Sequence, residues 1–143
     1  MERKFFLIKP EVAGNIADSD FIERSARPPV IKKLRYQFDG WSGDDLITSI
    51  ATFIVTKRLR EAIEGEGMTG VSFADVETFT SDQFKELYGE KQLPKFYWMQ
   101  ITGELGKDDF SMSPKHRLVV SSTALDLLKH FHVSNADIEP YEN

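Results

Sequence analysis

The sequence predicts an α+β fold: one domain over residues 1–143, with a mainly antiparallel sheet and two to four helices packed on it. Three observations point there. Short apolar runs are bounded by turn residues, hydroxyl side chains stand just ahead of apolar stripes at helical spacing, and one strand–helix–strand segment recurs 65 residues later. A chain of 143 residues buries roughly 70% of its unfolded surface, so a core forms without staples.

Lys4–Lys9 reads as a strand ended by Pro10, with Phe5, Phe6, Leu7 and Ile8 buried on both faces. Residues 11–29 look irregular, with one turn of helix near Asp20–Arg24 and a stop at Pro28-Pro29. Val30–Phe38 alternates: Val30, Leu34, Tyr36 and Phe38 share one face, while Lys33, Arg35 and Gln37 face the other way. The glycines and small polar residues of Asp39–Asp45 make a loop. Phe53-Ile54-Val55 is a short apolar strand, and Thr56 is placed to cap a helix carrying Leu59, Ala62 and Ile63. Gly65 and Gly67 end that helix and Val71-Ser72-Phe73 begins another strand.

Thr80–Gln83 has the spacing of a capping box for a second helix with Phe84, Leu87 and Tyr88. Phe96–Thr102 is the richest strand candidate, because aromatic and branched side chains dominate it. A polar loop runs from Gly103 to Pro114, and Leu118-Val119-Val120 is a further strand. Ser121 or Ser122 caps a last helix that buries Ala124, Leu125, Leu127, Leu128 and Phe131, with Ala136–Glu139 a final edge strand. Shifting by 65 residues sets Phe53-Ile54-Val55-Thr56 on Leu118-Val119-Val120-Ser121, Ala62-Ile63 on Leu127-Leu128 and Phe73 on Ile138. Duplication, or convergence on strand–cap–helix, would leave this pattern, and neither carries chemistry.

Composition narrows the function classes. Cysteine is absent, which excludes disulfides, thiolate metal sites and thiol catalysis and suits a reducing cytoplasm. The opening MERKFFLIKPEV has too short an apolar run for a signal-peptide core or a membrane span. The net charge is −5, made of +3 over residues 1–37 and −8 over residues 38–143. Such a balance repels nucleic acid, and the short basic stripe Lys32, Lys33 and Arg35 does not reverse it.

No catalytic constellation emerges. There is no Gly-x-Ser-x-Gly turn, no phosphate-binding glycine motif and no EF-hand, since position twelve counted from Asp39 is Ile50. His130 and His132 suit the end of the last helix, where a cation is favoured, and lack a third zinc ligand nearby. No cofactor and no metal is expected. The acidic loops leave three readings open: wet turn chemistry, a hard-cation site, or a surface that meets a cationic protein. On the last reading the partner-binding residues are Asp39, Trp41, Asp44, Asp45, Asp108 and Asp109, an aromatic side chain bordered by charge being what a hot spot needs.

Several stretches carry a resemblance. Phe53-Ile-Val-Thr-Lys-Arg-Leu-Arg-Glu-Ala-Ile, Gly70-Val-Ser-Phe, Leu93-Pro-Lys-Phe-Tyr-Trp, Gly106-Lys-Asp-Asp-Phe and the closing Leu118-Val-Val-Ser with Leu125-Asp-Leu-Leu resemble immunity proteins of bacterial polymorphic-toxin systems. The chain is similar in particular to the eleventh catalogued immunity family, formerly a domain of unknown function, over about residues 38–143. The resemblance implies a non-catalytic cytoplasmic protein that binds and neutralises a cognate toxin domain. It brings no catalytic residues, and contact residues differ between cognate pairs. A nuclease toxin, cationic for its own substrate, would suit an acidic inhibitor. Two other readings stand beside it: a metal-dependent hydrolase using the Asp-rich loops, and a scaffold subunit of a bacterial assembly.

Overall fold

Apolar runs become paired strands in the computed structural model, which describes residues 4–16, 20–23, 25, 30–49 and 51–142. The first five strands are β1 (Phe5–Lys9), β2 (Gly14–Asn15), β3 (Asp20–Glu23), β4 (Val30–Lys33) and β5 (Arg35–Phe38). A hairpin of β6 (Leu46–Ser49) and β7 (Thr52–Thr56) leads into α1 (Lys57–Gly65) and β8 (Val71–Asp75). Then come β9 (Glu77–Thr80), α2 (Asp82–Tyr88) and β10 (Phe96–Ile101). A second hairpin of β11 (Phe110–Met112) and β12 (Leu118–Ser121) leads into α3 (Ser122–Leu128) and β13 (Asp137–Tyr141). The fold is α+β and mostly antiparallel, as the sequence predicts, with the parallel pair β5–β9 as an exception.

Two four-stranded sheets are built alike. One runs β6-β7-β10-β8 and the other β11-β12-β1-β13, with antiparallel neighbours throughout. Each consists of a hairpin, a helix, a strand, and one more strand inserted between the hairpin and that strand. In the first unit the inserted strand, β10, comes later in the chain; in the second it is β1, from the beginning of the chain. The 65-residue recurrence is therefore a repeat of this whole unit, circularly permuted in its second copy.

The larger core lies where the two units meet. It contains Phe53 with Leu118, Val55 with Val120, Leu59 with Ala124 and Ile63 with Leu128, each pair 65 residues apart. Leu46 and Phe110 match at a shift of 64, and Met99 on β10 answers Ile8 on β1. The smaller core covers the other face of the first sheet. There Ile47, Ile54 and Phe96 pack on Leu34, Tyr36 and Phe38 of the β5 layer and on Phe84 of α2. Trp41 and Trp98 close its margin. Tyr36 is buried and its phenol is pushed up to about 12, burial being the main cause. Its hydroxyl accepts from the Ala13 N–H at 3.1 Å and donates to the Thr48 carbonyl at 2.9 Å, which ties the segment before β2 to the sheet.

The structure corrects several local expectations. Asp20–Glu23 is a strand paired antiparallel with β4, not a turn of helix; Arg24 lies outside the described residues. The run Val30–Phe38 breaks at Leu34, whose carbonyl accepts from the Glu77 N–H, so β4 pairs with β3 while β5 joins β2 and β9. The cap of α2 is Ser81 rather than Thr80: its hydroxyl accepts from the Phe84 N–H at 3.1 Å. Ser121, not Ser122, caps α3 in the same way. Strands β6, β9 and β11 occupy stretches with no strand signal of their own.

Gly70 and Gly103 let two loops cross where there is no room for a side chain. A Cβ on Gly103 would stand 1.9 Å from the Phe110 carbonyl oxygen and 2.8 Å from the Gly70 Cα. Gly103→Ala should therefore lower stability by about 3 kcal/mol through backbone displacement. Gly65→Ala, where nothing lies within 4 Å, should raise it by about 0.5 kcal/mol. Urea unfolding of the two variants checks both signs.

Candidate partner-binding surface

Of the six residues the sequence nominates for partner contact, Asp44, Asp45 and Asp109 are only 1%, 1% and 8% exposed. Their carboxylates point inward because the strand starts they occupy face the loops that follow the helices. Asp45 Oδ1 accepts from the Thr56 hydroxyl at 2.5 Å and Arg58 Nε at 2.7 Å. Its Oδ2 accepts from Arg58 Nη2 and from the His132 N–H, both at 2.8 Å. Thr56 thus stands at the N-cap of α1, but its hydroxyl serves Asp45 instead of the helix backbone. Asp44 holds the Asn135 N–H at 2.9 Å, the Asn135 side-chain amide at 3.1 Å and the Ser134 N–H at 3.3 Å.

Asp109 repeats the arrangement in the second unit. Oδ1 accepts from the Ser121 hydroxyl at 2.7 Å, and Oδ2 accepts from the Thr69 N–H at 3.0 Å. Each of these aspartates holds the cap hydroxyl of its own helix and clasps the loop behind the other unit's helix. Sequence reasoning treated them as surface charge. The signal that identifies them is the dipeptide Asp-Asp, which recurs at Asp44-Asp45 and Asp108-Asp109, 64 residues apart and beside the repeat. Asp108 is half-buried and accepts from the Glu104 N–H at 2.6 Å, closing its own loop. The two acidic loops are therefore held by different parts of the chain and do not form one constellation. Among the described residues, no group of three or more His, Cys, Asp or Glu side chains is gathered for a metal ion.

The other two nominees, Asp39 and Trp41, stand together at the surface. The loop that carries them is anchored by the Asp39 and Gly40 N–H groups, which donate to the Ala13 carbonyl at 2.8 and 3.2 Å. The Trp41 indole N–H donates to the Asp44 carbonyl at 2.9 Å, and its ring meets Phe96 edge-on at 5.9 Å. Trp41 is the wall between two grooves. One, of about 780 Å³, lies against the start of α1 and is lined by Lys57, Arg58 and Lys95, with Leu93 and Pro94 as its apolar part. The other, of about 370 Å³, lies between Glu11–Gly14, Asp39–Ser42 and one face of α2.

The second groove gathers exposed apolar surface. Val12 is 67% exposed, Leu87 64% and Tyr88 39%, and all three line it. Apolar groups this exposed and this close mark contact surfaces in soluble proteins. Its ionic lining is acidic: Glu11 and Asp39. The Ser42 N–H donates to Glu11 Oε2 at 3.0 Å, while Glu11 Oε1 is buried without a hydrogen-bond partner. Sequence reasoning missed Val12, Leu87 and Tyr88 as contact residues, since single apolar positions in a loop and on a helix look like core.

The basic stripe is partly neutralised: Lys33 Nζ and Arg35 Nε each approach Glu77 to 2.8 Å, and their side chains hold its carboxyl below the usual range. His130 and His132 lie exposed beyond the C-cap Lys129, and His132 bonds through its backbone. Among the described residues no helix is long and apolar enough to cross a membrane. Neither protein-family models nor curated protein sequences yield a match to this chain.

Burial pushes the Asp45 carboxyl up, but Arg58, Thr56 and the His132 N–H outweigh burial and hold it below its ordinary value of 3.8. Its stabilisation is thus complete above that pH and is lost as pH falls through the lower folded value. Asp45→Asn should cost about 2 kcal/mol, because Arg58 is open to water and only part of the pairing is desolvated. In urea melts, the gap between wild type and variant should stay level from roughly pH 5 to 8 and narrow below about 4.

Proposed function

We propose that the protein is a non-catalytic binding protein that neutralises a cognate bacterial toxin domain in the cytoplasm, as the immunity family it resembles does. The observation that carries this reading is the groove beside Trp41, where three of the four large apolar residues most exposed among those described meet two carboxylates. A tryptophan and a tyrosine at the edge of such a groove supply rigid contact area, which is where binding energy concentrates. Asp44, Asp45 and Asp109 drop out of the contact surface because they are buried. Long-range attraction passes to Asp39 and to the exposed Asp82, Glu86 and Glu90 on and after α2. An acidic field around an apolar groove speeds encounter with a cationic partner and disfavours others.

The test is co-expression with the toxin domain encoded immediately upstream of the gene. Growth should be restored, and the purified pair should associate; toxicity that persists with no complex formed overturns the reading. Neutralising Asp39, Asp82 and Glu86 should slow association about tenfold at low salt and flatten its salt dependence. An on-rate unchanged at low salt would remove acidic steering from the mechanism.

A further inference from the structure

Resting on the reading of the Trp41 surface as a partner site, we infer that the 370 Å³ groove receives a protein segment that inserts an apolar side chain flanked by Lys or Arg. Charge complementarity fixes the class. The groove presents Val12, Leu87 and Tyr88 as apolar walls, and the ionisable side chains that line it, Tyr88 apart, are Glu11 and Asp39. Neither carboxylate has a cationic partner among the ion pairs of the described residues. Asp39 receives the Gln37 side-chain amide at 3.3 Å, and Glu11 receives one backbone N–H on Oε2. Oε1 of Glu11 is left with bonding capacity and no donor, a costly condition that a small turn of the carboxylate toward an incoming cation relieves.

The neighbouring groove argues for direction. Its lining includes Lys57, Arg58 and Lys95, and Lys91 lies over the Trp41 ring at 5.3 Å. A cationic segment is repelled on that side of Trp41 and attracted on the other. The face of α2 fits the role. Gln83 and Leu87, one turn apart, look into the groove, while Phe84 turns inward to the core. Substitution of Leu87 therefore alters the groove without touching what holds the helix.

A displayed library of random twelve-residue peptides, panned on the intact protein, tests this. Enriched peptides should carry an aliphatic or aromatic residue next to Lys or Arg. Their binding should fall at least tenfold in Leu87→Asp and in Val12→Asp, and several-fold in Glu11→Gln with Asp39→Asn. Both apolar positions are mostly exposed, so melting temperatures should stay level. No enrichment, enrichment of acidic peptides, or binders indifferent to both aspartate variants overturns the inference. Peptide selection by this groove in a protein that gives no toxin protection would overturn the toxin reading and leave the groove assignment standing. Full protection by Leu87→Asp would overturn the groove as the site of toxin contact.

Discussion

An isolated carboxylate taken out of water costs several kcal/mol, and the fold meets that cost twice by the same device. Asp45 and Asp109 each sit one residue ahead of the outer strand of a hairpin. From there each reaches the hydroxyl at the start of the following helix and an N–H in the loop behind the opposite helix. Strand, helix start and the far unit are tied through one side chain. The larger core between the units depends on that registration, because Leu46 and Phe110 follow the two aspartates directly. Arg58 extends the first clasp, pairing with Asp45 and lying over the Phe131 ring at 5.9 Å. The second has no arginine at the matching place, where Thr123 stands.

The parts legible in the sequence are those whose signal is local. Ser81 and Ser121 stand before apolar stripes, and both cap helices. Phe96–Ile101 has strand chemistry at every position. The 65-residue recurrence is visible in two strands and a helix. Strands β6, β9 and β11 are not legible, because they owe their extended form to neighbours: Leu46–Ser49 to β7, Glu77–Thr80 to a parallel partner forty residues earlier, Phe110–Met112 to β12. Asp44 and Asp45 mislead for a related reason. Adjacent aspartates in a glycine-containing loop look solvated, and only the arrival of Thr56, Arg58, His132 and Asn135 from elsewhere in the chain makes their burial tolerable.

What remains for the surface is set by that same allocation. With three carboxylates of the acidic loops taken inside, Asp39 and Trp41 are what the first loop shows to the outside. The insertion between β8 and β10, carrying β9 and α2, places Leu87 and Tyr88 beside them. The second unit has no counterpart of α2 after β13. The groove is thus a product of the asymmetry between the copies rather than of their likeness.

The permuted order also sets a timetable for folding. Residues 46–101 contain every strand of the first sheet and can close it while the rest is still being synthesised. β1 leaves the ribosome earlier than any of these, yet its neighbours β12 and β13 lie more than a hundred residues downstream. Until they arrive, Phe5-Phe6-Leu7-Ile8 is an unpaired greasy strand with both edges open, the kind of segment that nascent chains use to stick to one another. The element made first is among the last to be satisfied, and shielding it during translation falls to chaperones or to the speed of the ribosome.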